Sequence, residues 1–364
     1  MNILYDGLVY SVQPAGGINR YFNNLITYLP ESIAPSLTLC KPLDTGYTAN
    51  SRLKKFTNQR LENLPKRLSL LSARLYFRQA IDFQQFDILH PTYYCLLSRQ
   101  RLNKCKIPVV VTVWDMIHEI FADQIKFSSR HIQMKRQAVL SADAILCISK
   151  NTKKDLLEKY LIPEEKVEVT YLASDIDISM SYGSEPTPSK PYYLHVGNRS
   201  GYKNFDCLLL AFSKAVSSQP DLLLCVVGPP FDKAEKERIS HLKLENNVEH
   251  FGYVKDHHLA KLYRCSIALV YPSRYEGFGI PPLEAMSCKT AVIAANCASL
   301  PEVVGDAGIL FNPDSASDLA DILIFLLKNS LERDFLIEKT YKRAKMFSWE
   351  KTAAQTTDLY QHIC

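Results

Sequence analysis

The 364-residue chain lacks any run of about 18 uninterrupted apolar residues, the length a membrane-spanning helix needs. Its opening segment, MNILYDGLVY, has neither the basic region nor the long apolar stretch of a secretory leader, so a cytosolic placement is expected. The ten cysteines form no CxxC pair and have no histidine at metal-ligand spacing. Cys147, Cys207, Cys225 and Cys288 fall in apolar strand or helix patterns, which points to buried thiols rather than disulfides. No GxGxxG follows a strand; Gly277-Phe-Gly279 fails to complete one because Pro282 stands in the third position. A net charge of +5 is too small to imply a nucleic-acid partner. No internal repeat is evident.

What the chain does have is alternation. Short β-rich apolar runs (NILYD, FDILH, PVVVTVWD, DAILCIS and KVEVTYLA, then YYLHVG, LLLCVVG, VEHFGYV, SIALVYPS, AVIAAN and GILFNP) are separated by amphipathic segments. Continuous rather than alternating apolar strands are those of parallel sheets covered on both faces, which makes this an α/β chain. Its length suits two domains. SYGSEPTPSKP, residues 181–191, is rich in Ser, Pro and Gly without an apolar period and reads as a linker. The expected division is 1–183, 184–346 and a final helix over 347–364.

Residues 51–80 carry eight Lys or Arg against one Glu, with Leu64, Leu68, Leu71 and Leu75 at helical spacing. Such a segment fits an anionic membrane surface, or equally a domain helix with a basic solvent face.

In open parallel sheets ligands bind beyond the carboxyl ends of the strands, so polar residues there carry the argument. After the first strand, Gly16 and Gly17 open a helix whose stripe is Phe22, Leu25, Ile26 and Leu29. Paired glycines let a ligand approach the backbone, and the free amides there attract anions; a plain tight turn would look the same. After YYLHVG, Arg199 and Lys203 lie in a loop entering a helix, either a diphosphate clamp or a solvated basic loop. After SIALVYPS comes RYEGFGIPPLEAM. Pro281 and Pro282 suit a first helical turn, which places Glu276 in the preceding loop and Glu284 in that turn. Two carboxylate oxygens match a vicinal diol, so each Glu suits a ribose or a sugar, and Gly277 and Gly279, flanking Phe278, clear side chains from the approach.

EGFGIPPLE resembles the E-x7-E element of the GT4 family of retaining, GT-B-fold glycosyltransferases. AGGINRYFNNL is similar to that family's N-terminal glycine loop and HVGNRSGYKNF to its Arg/Lys phosphate site; ISKNT, SLPEVVGDAGILFNPDS and FSWEKTAAQTTDLY also match. The Gly-Gly-Ile-x-Arg-Tyr variant is most like bacterial polysaccharide enzymes, including O-antigen mannosyltransferases. The resemblance implies two Rossmann-like domains facing across a cleft, a final helix returning to the first, and a nucleotide-sugar donor, GDP-mannose favoured. It further implies a saccharide or polyprenyl-linked acceptor, and no cofactor or metal. Glu276 would bind donor-sugar hydroxyls, Glu284 the ribose, and Arg199 and Lys203 the diphosphate, with Gly16, Gly17, Gly277, Phe278 and Gly279 completing the donor site. One departure stands out. Where the family often has His-Asp after a strand, this chain has Trp114-Asp115. His118 or His90 would then contact the sugar, or either is a structural histidine; Asp115 would orient the acceptor or cap a helix.

Rival classes remain: a phosphorylase, which would need a cofactor lysine no motif identifies; a nucleotide-sugar epimerase; or a non-catalytic nucleotide-sugar or glycan-binding protein. Asp175-x-Asp177 resembles a metal motif of another glycosyltransferase fold but lacks its context.

Overall fold

The computed structural model of the chain describes residues 1–13, 16–40, 50–57, 72, 75–79, 81–126 and 128–364. The chain divides into two compact units, Met1–Leu172 with Trp349–Cys364, and Ala173–Ser348.

The first unit contains β1 (Asn2–Asp6), β2 (Ala34–Leu39), β3 (Lys54–Thr57), β4 (Ile88–Pro91), β5 (Val110–Val113), β6 (Ala144–Cys147) and β7 (Val167–Val169). All ladders are parallel, in the orders β3-β2-β1-β4 and β5-β6-β7, and a parallel bridge between Leu89 and Val109 joins the two sheets. The second unit holds β8 (Tyr192–Val196), β9 (Leu223–Val227), β10 (Val248–Gly252), β11 (Leu269–Tyr271), β12 (Val292–Ala295) and β13 (Ile309–Phe311), parallel throughout, in the order β10-β9-β8-β11-β12-β13. Each unit therefore has the doubly wound, Rossmann-like order, with its first strand in the middle and a reversal of direction beside it. β4, β5, β6, β8 and β12 are buried along their whole length, which is why they read as unbroken apolar runs.

Two strands escaped the sequence reading. β2, APSLTL, contains Pro35, which cannot donate to a ladder and argues against a strand; here it pairs in register with Ile3. β3 lies inside the basic segment 51–80, so that segment does not start as a helix. Lys54 and Lys55 are exposed on an edge strand, where charge discourages further pairing. Leu75 is exposed, and Leu64, Lys66, Arg67, Leu68 and Leu71 lie outside the described residues. Among the described residues no helix is long and apolar enough to cross a membrane.

The boundary between the units falls at Leu172, ahead of the linker read from composition. Residues beyond it are strapped to the helix Asp256–Cys265 of the second unit. Arg264 donates to the Ser181 carbonyl, Lys261 to Gly183, and His258 meets the Pro186 carbonyl, while His257 faces Glu185 at 3.0 Å. Polarity without apolar period therefore marks a held strap here. Asp177 is used locally: its carboxylate accepts from the Ser179 amide and hydroxyl at the start of the turn Ile178–Tyr182.

The helix Gly17–Tyr28 buries Phe22, Leu25 and Ile26 as its stripe requires, each contributing roughly 1.5–3 kcal/mol of transfer free energy. The final helix, Trp349–Ile363, packs on it within the first unit. Trp349 meets Tyr21 edge-on, Thr352 donates to the Tyr171 carbonyl at 2.6 Å, and the Tyr360 hydroxyl lies 3.1 Å from that of Tyr5. Tyr360 also reaches His90 Nδ1, whose Nε2 pairs with Thr112 at 2.8 Å. All ten cysteines are free thiols, with Cys147, Cys207, Cys225 and Cys288 buried.

Tyr360→Phe leaves two buried partners, Tyr5 and His90, without their shared hydroxyl. It should lower unfolding stability by about 1–3 kcal/mol in urea titrations of the intact chain; an unchanged midpoint would show that this bridge does not hold the helix.

Candidate functional site

In the second unit the strand order reverses between β8 and β11, and the segments leaving these two strands carry Arg199, Lys203, Glu276, Gly277, Phe278 and Gly279, all singled out from sequence. Gly197, at φ 125°, turns the chain out of β8 through Arg199 into a short turn, Gly201–Lys203. Asn204, left-handed at φ 58°, then starts the helix Phe205–Ser218 and ties its amide to the carbonyls of Pro272 and Pro313. From β11 the chain runs through Glu276 and Gly279 into the helix Ile280–Ser287, with proline in its first turn as expected. Gly279 is required on two counts: its φ is 114°, and a Cβ there would stand 2.9 Å from Leu300.

These loops are bound to each other. The Arg274 amide donates to the Tyr202 carbonyl at 2.7 Å, and Lys203 Nζ meets Glu276 Oε1 at 2.6 Å. Burial works against the Lys203 charge, but Tyr271, Glu276 and Tyr202 together outweigh it and hold its pKa above the ordinary lysine value. Ser299, fully buried after β12, lies within hydrogen-bond reach of the carbonyls of Glu276 and Phe278, at 2.9 and 2.7 Å, and staples the loop from beneath.

Neither of the two cations read as a clamp or a solvated loop stands bare: Lys203 is paired with Glu276 and Arg199 with Glu235. Arg199 is paired fork-to-fork with Glu235 at 2.7 and 3.0 Å, and only its Nη1 is left buried without a partner among the described residues. Glu284 stands at the fifth position of its helix, past the first turn expected for it, and its Oε2 accepts from Tyr263 at 2.9 Å. Phe278, expected in the donor site, is a core residue edge-on to Phe347.

In the first unit Gly16 is extended, at φ 168°, and caps the helix Gly17–Tyr28, while a Cβ on Gly17 would meet nothing within 4 Å. A Cβ on Gly16, by contrast, would stand 2.0 Å from the Gln13 side-chain amide nitrogen, which would have to move. Asp115 follows β5 and accepts from the Ile117 amide at 3.0 Å, one residue ahead of Met116, the N-cap of the short helix Ile117–Ile120. Beneath it Lys135, with no solvent exposure, binds the Asp115 carbonyl at 2.7 Å and Glu119 at 2.8 Å. His118, on the short helix Ile117–Ile120, stacks on His131 with centroids 3.7 Å apart. Burial pushes the pKa of both rings down, that of His131 to about 4. His90 is enclosed, with both nitrogens engaged in the core, so it is a structural histidine and not a sugar contact.

Two family models match: "Glycosyltransferase Family 4" over residues 15–178 and "Glycosyl transferases group 1" over residues 183–343. The chain belongs to the GT4 glycosyltransferases. Among curated relatives, the O-antigen chain mannosyltransferase B of Escherichia coli is 29% identical over 66% of this chain and 65% of its own, so the match spans just under two thirds of that relative. Of solved structures, sucrose-phosphate synthase from Thermosynechococcus elongatus superposes with a TM-score of 0.77 at 19% identity, covering 99% of this chain and 98% of the other. The Anabaena HepE protein, solved in complex with UDP and glucose, gives 0.74 at 18% identity over 100% of both chains. The shared fold is that of GT-B glycosyltransferases.

Within this GT4 chain the sequence reading missed Glu235, Tyr263, Tyr271, Ser299 and His195. Only Glu235 had a local signal, since Asp232 and Glu235 form a capping box at the helix Lys233–His241. His195, at the end of β8, is buried with Nδ1 3.2 Å from the Val270 carbonyl, and its Nε2 has no hydrogen-bond partner among the described residues. Burial, aided by Arg199 and Lys203, depresses its pKa to about 4. Because the folded value lies below the free one, the unfolded chain takes up the proton first, and stability present at neutral pH is lost as pH falls from about 6.5 toward 4. His195→Gln should remove part of that acid sensitivity in urea titrations at stepped pH; an identical pH dependence would clear His195 of it.

Proposed function

We propose that this chain is a retaining hexosyltransferase acting in cell-surface polysaccharide, including lipopolysaccharide, biosynthesis. It moves a hexose, mannose favoured, from a nucleotide-diphosphate sugar to a saccharide or polyprenyl-linked acceptor. The observation that carries this reading is the grouping at the β8/β11 switch point: a buried guanidinium atom without an acceptor, a lysine shared with Glu276, and Glu284 on the helix that follows. Arg199 Nη1 and the two remaining N–H groups of Lys203 would take the diphosphate, Glu276 the sugar hydroxyls and Glu284 the ribose. GDP-mannose as donor is supported by the name of the Escherichia coli relative and by the Gly-Gly-Ile-x-Arg-Tyr sequence.

The step needs no metal in this reading, because the leaving diphosphate would be met by directed hydrogen bonds from Arg199, Lys203 and helix-opening amides, those of Gly16 and Gly17 included. The bond from the sugar's anomeric carbon to the phosphate oxygen breaks as the acceptor oxygen bonds on the same face. The departing phosphate oxygen takes the acceptor's hydroxyl proton, so the carboxylates serve as positioning groups. On the first unit Asp115 and His118 would face the acceptor from a segment that Lys135 clamps.

A thermal-shift screen with GDP-mannose, UDP-glucose, UDP-GlcNAc, ADP-glucose and the free diphosphates tests the donor, because a ligand that binds only the folded state raises Tm. One selective shift is expected. Glu284→Ala should abolish the shift from the free diphosphate, while Glu276→Ala should keep it and lose transfer. No shift with any donor would favour a non-catalytic binding protein; equal loss in both variants would refute the division of roles.

We further propose that the enzyme works in the cytoplasm at the inner face of the plasma membrane, with residues 51–80 docking on anionic lipid near the acceptor. Replacing Lys54, Lys55, Lys66 and Arg67 by Gln should then reduce co-sedimentation with phosphatidylglycerol vesicles. Unchanged co-sedimentation would remove the docking.

A further inference from the structure

Arg199 is held more tightly than pairing with one carboxylate requires. Nε and Nη2 meet the two oxygens of Glu235, and Nη2 also donates to the Pro230 carbonyl at 3.1 Å. The guanidinium lies over the Phe231 ring at 4.6 Å and the Phe205 ring at 5.6 Å. Glu235 is itself fixed. Its Oε2 accepts from the Asp232 amide at 2.8 Å, and its own amide donates to Asp232 Oδ1 at 2.8 Å. The carboxylate is thus set by the start of a helix rather than by the freedom of a long side chain.

After these contacts one atom of the guanidinium remains, Nη1, buried and without a partner among the described residues. Beside it Gly228 adopts φ 151°, and a Cβ there would stand 3.5 Å from Nη1 and 2.4 Å from the Gly197 carbonyl. An ion pair serving only to neutralise a buried charge would satisfy the guanidinium all round. This one leaves a single nitrogen, with two N–H groups, beside Gly228, at the ends of β8 and β9.

We infer that Glu235 is a positioning residue: it aims Arg199 so that Nη1 alone meets an oxygen of the donor's phosphate group. This rests on the donor-site reading above. Because the Arg199–Glu235 pair is close to neutral, Nη1 acts by directed hydrogen bonds more than by net charge, and its direction decides its worth.

Calorimetric titration with UDP and GDP, and with uridine and guanosine as phosphate-free counterparts, tests this. Glu235→Ala should weaken the diphosphate that binds by about tenfold or more and leave the nucleoside unaffected. Asp232→Ala removes the cap but not the Arg199–Glu235 fork, so it should lower Tm while sparing diphosphate affinity. Arg199→Ala with Glu235→Ala should be no worse than Arg199→Ala alone, because Glu235 acts through Arg199. Diphosphate affinity in Glu235→Ala that is unchanged or tighter, or that falls only in step with the nucleoside, overturns the inference. Losses that add in the double variant overturn it as well. Arg199→Ala that binds diphosphate normally, or an intact protein that binds neither UDP nor GDP, overturns the donor-site reading and this inference with it. Normal loss in Arg199→Ala beside no loss in Glu235→Ala overturns this inference alone.

Discussion

A charge taken out of water must find a partner, and the second unit's switch point is organised around that constraint. Lys203 and Glu276 follow different strands and meet at 2.6 Å. Arg199 and Glu235 do the same between the loops after β8 and β9. These pairs, with the Tyr202–Arg274 backbone bond, stitch separate loops into one surface. Loops otherwise free to drift become rigid where a ligand would have to be read. On the donor-site reading proposed above, a ligand would be met by hydrogen-bonding capacity left on paired groups rather than by a pool of bare positive charge.

The first unit solves a similar problem with different residues. Its strand-end segment after β5 is fixed by Lys135, a fully buried lysine whose ammonium binds a carbonyl and the Glu119 carboxylate, which in turn accepts from Tyr160. That anchor sits beneath the place where Trp114 replaces the histidine usual in the family. Trp114 itself packs edge-on against Tyr21 and Phe22, so its position is tied to the core of the glycine-opened helix. The final helix closes this same core through Tyr360, which explains why a segment so far along the chain belongs to the first unit.

Much of this was legible beforehand. Short β-rich runs identified eleven of the strands, most of them unbroken because burial on both faces leaves no room for polar alternation, though β7 and β10 are partly exposed; the proline pair located the helix after Glu276. β2 and β3 were hidden by Pro35 and by Lys54 and Lys55, residues that an edge or a ladder position tolerates but that local pattern counts against a strand. Of the candidate site, Arg199, Lys203, Glu276 and Glu284 were singled out because each sits in a motif. Tyr263, Ser299 and His195 were not, since a buried hydroxyl or imidazole has no signature until its partner is known.

By itself, then, the sequence determined the layered α/β architecture and which charged residues gather at the strand ends, since periodicity and motif spacing are local properties of the chain. Only the tertiary structure decided how those charges are spent. Whether Arg199 is free or paired depends on Glu235, and whether Glu276 is open depends on Lys203. Such pairings join residues far apart in the chain, and a local pattern holds no record of which distant side chain will share the same dry space.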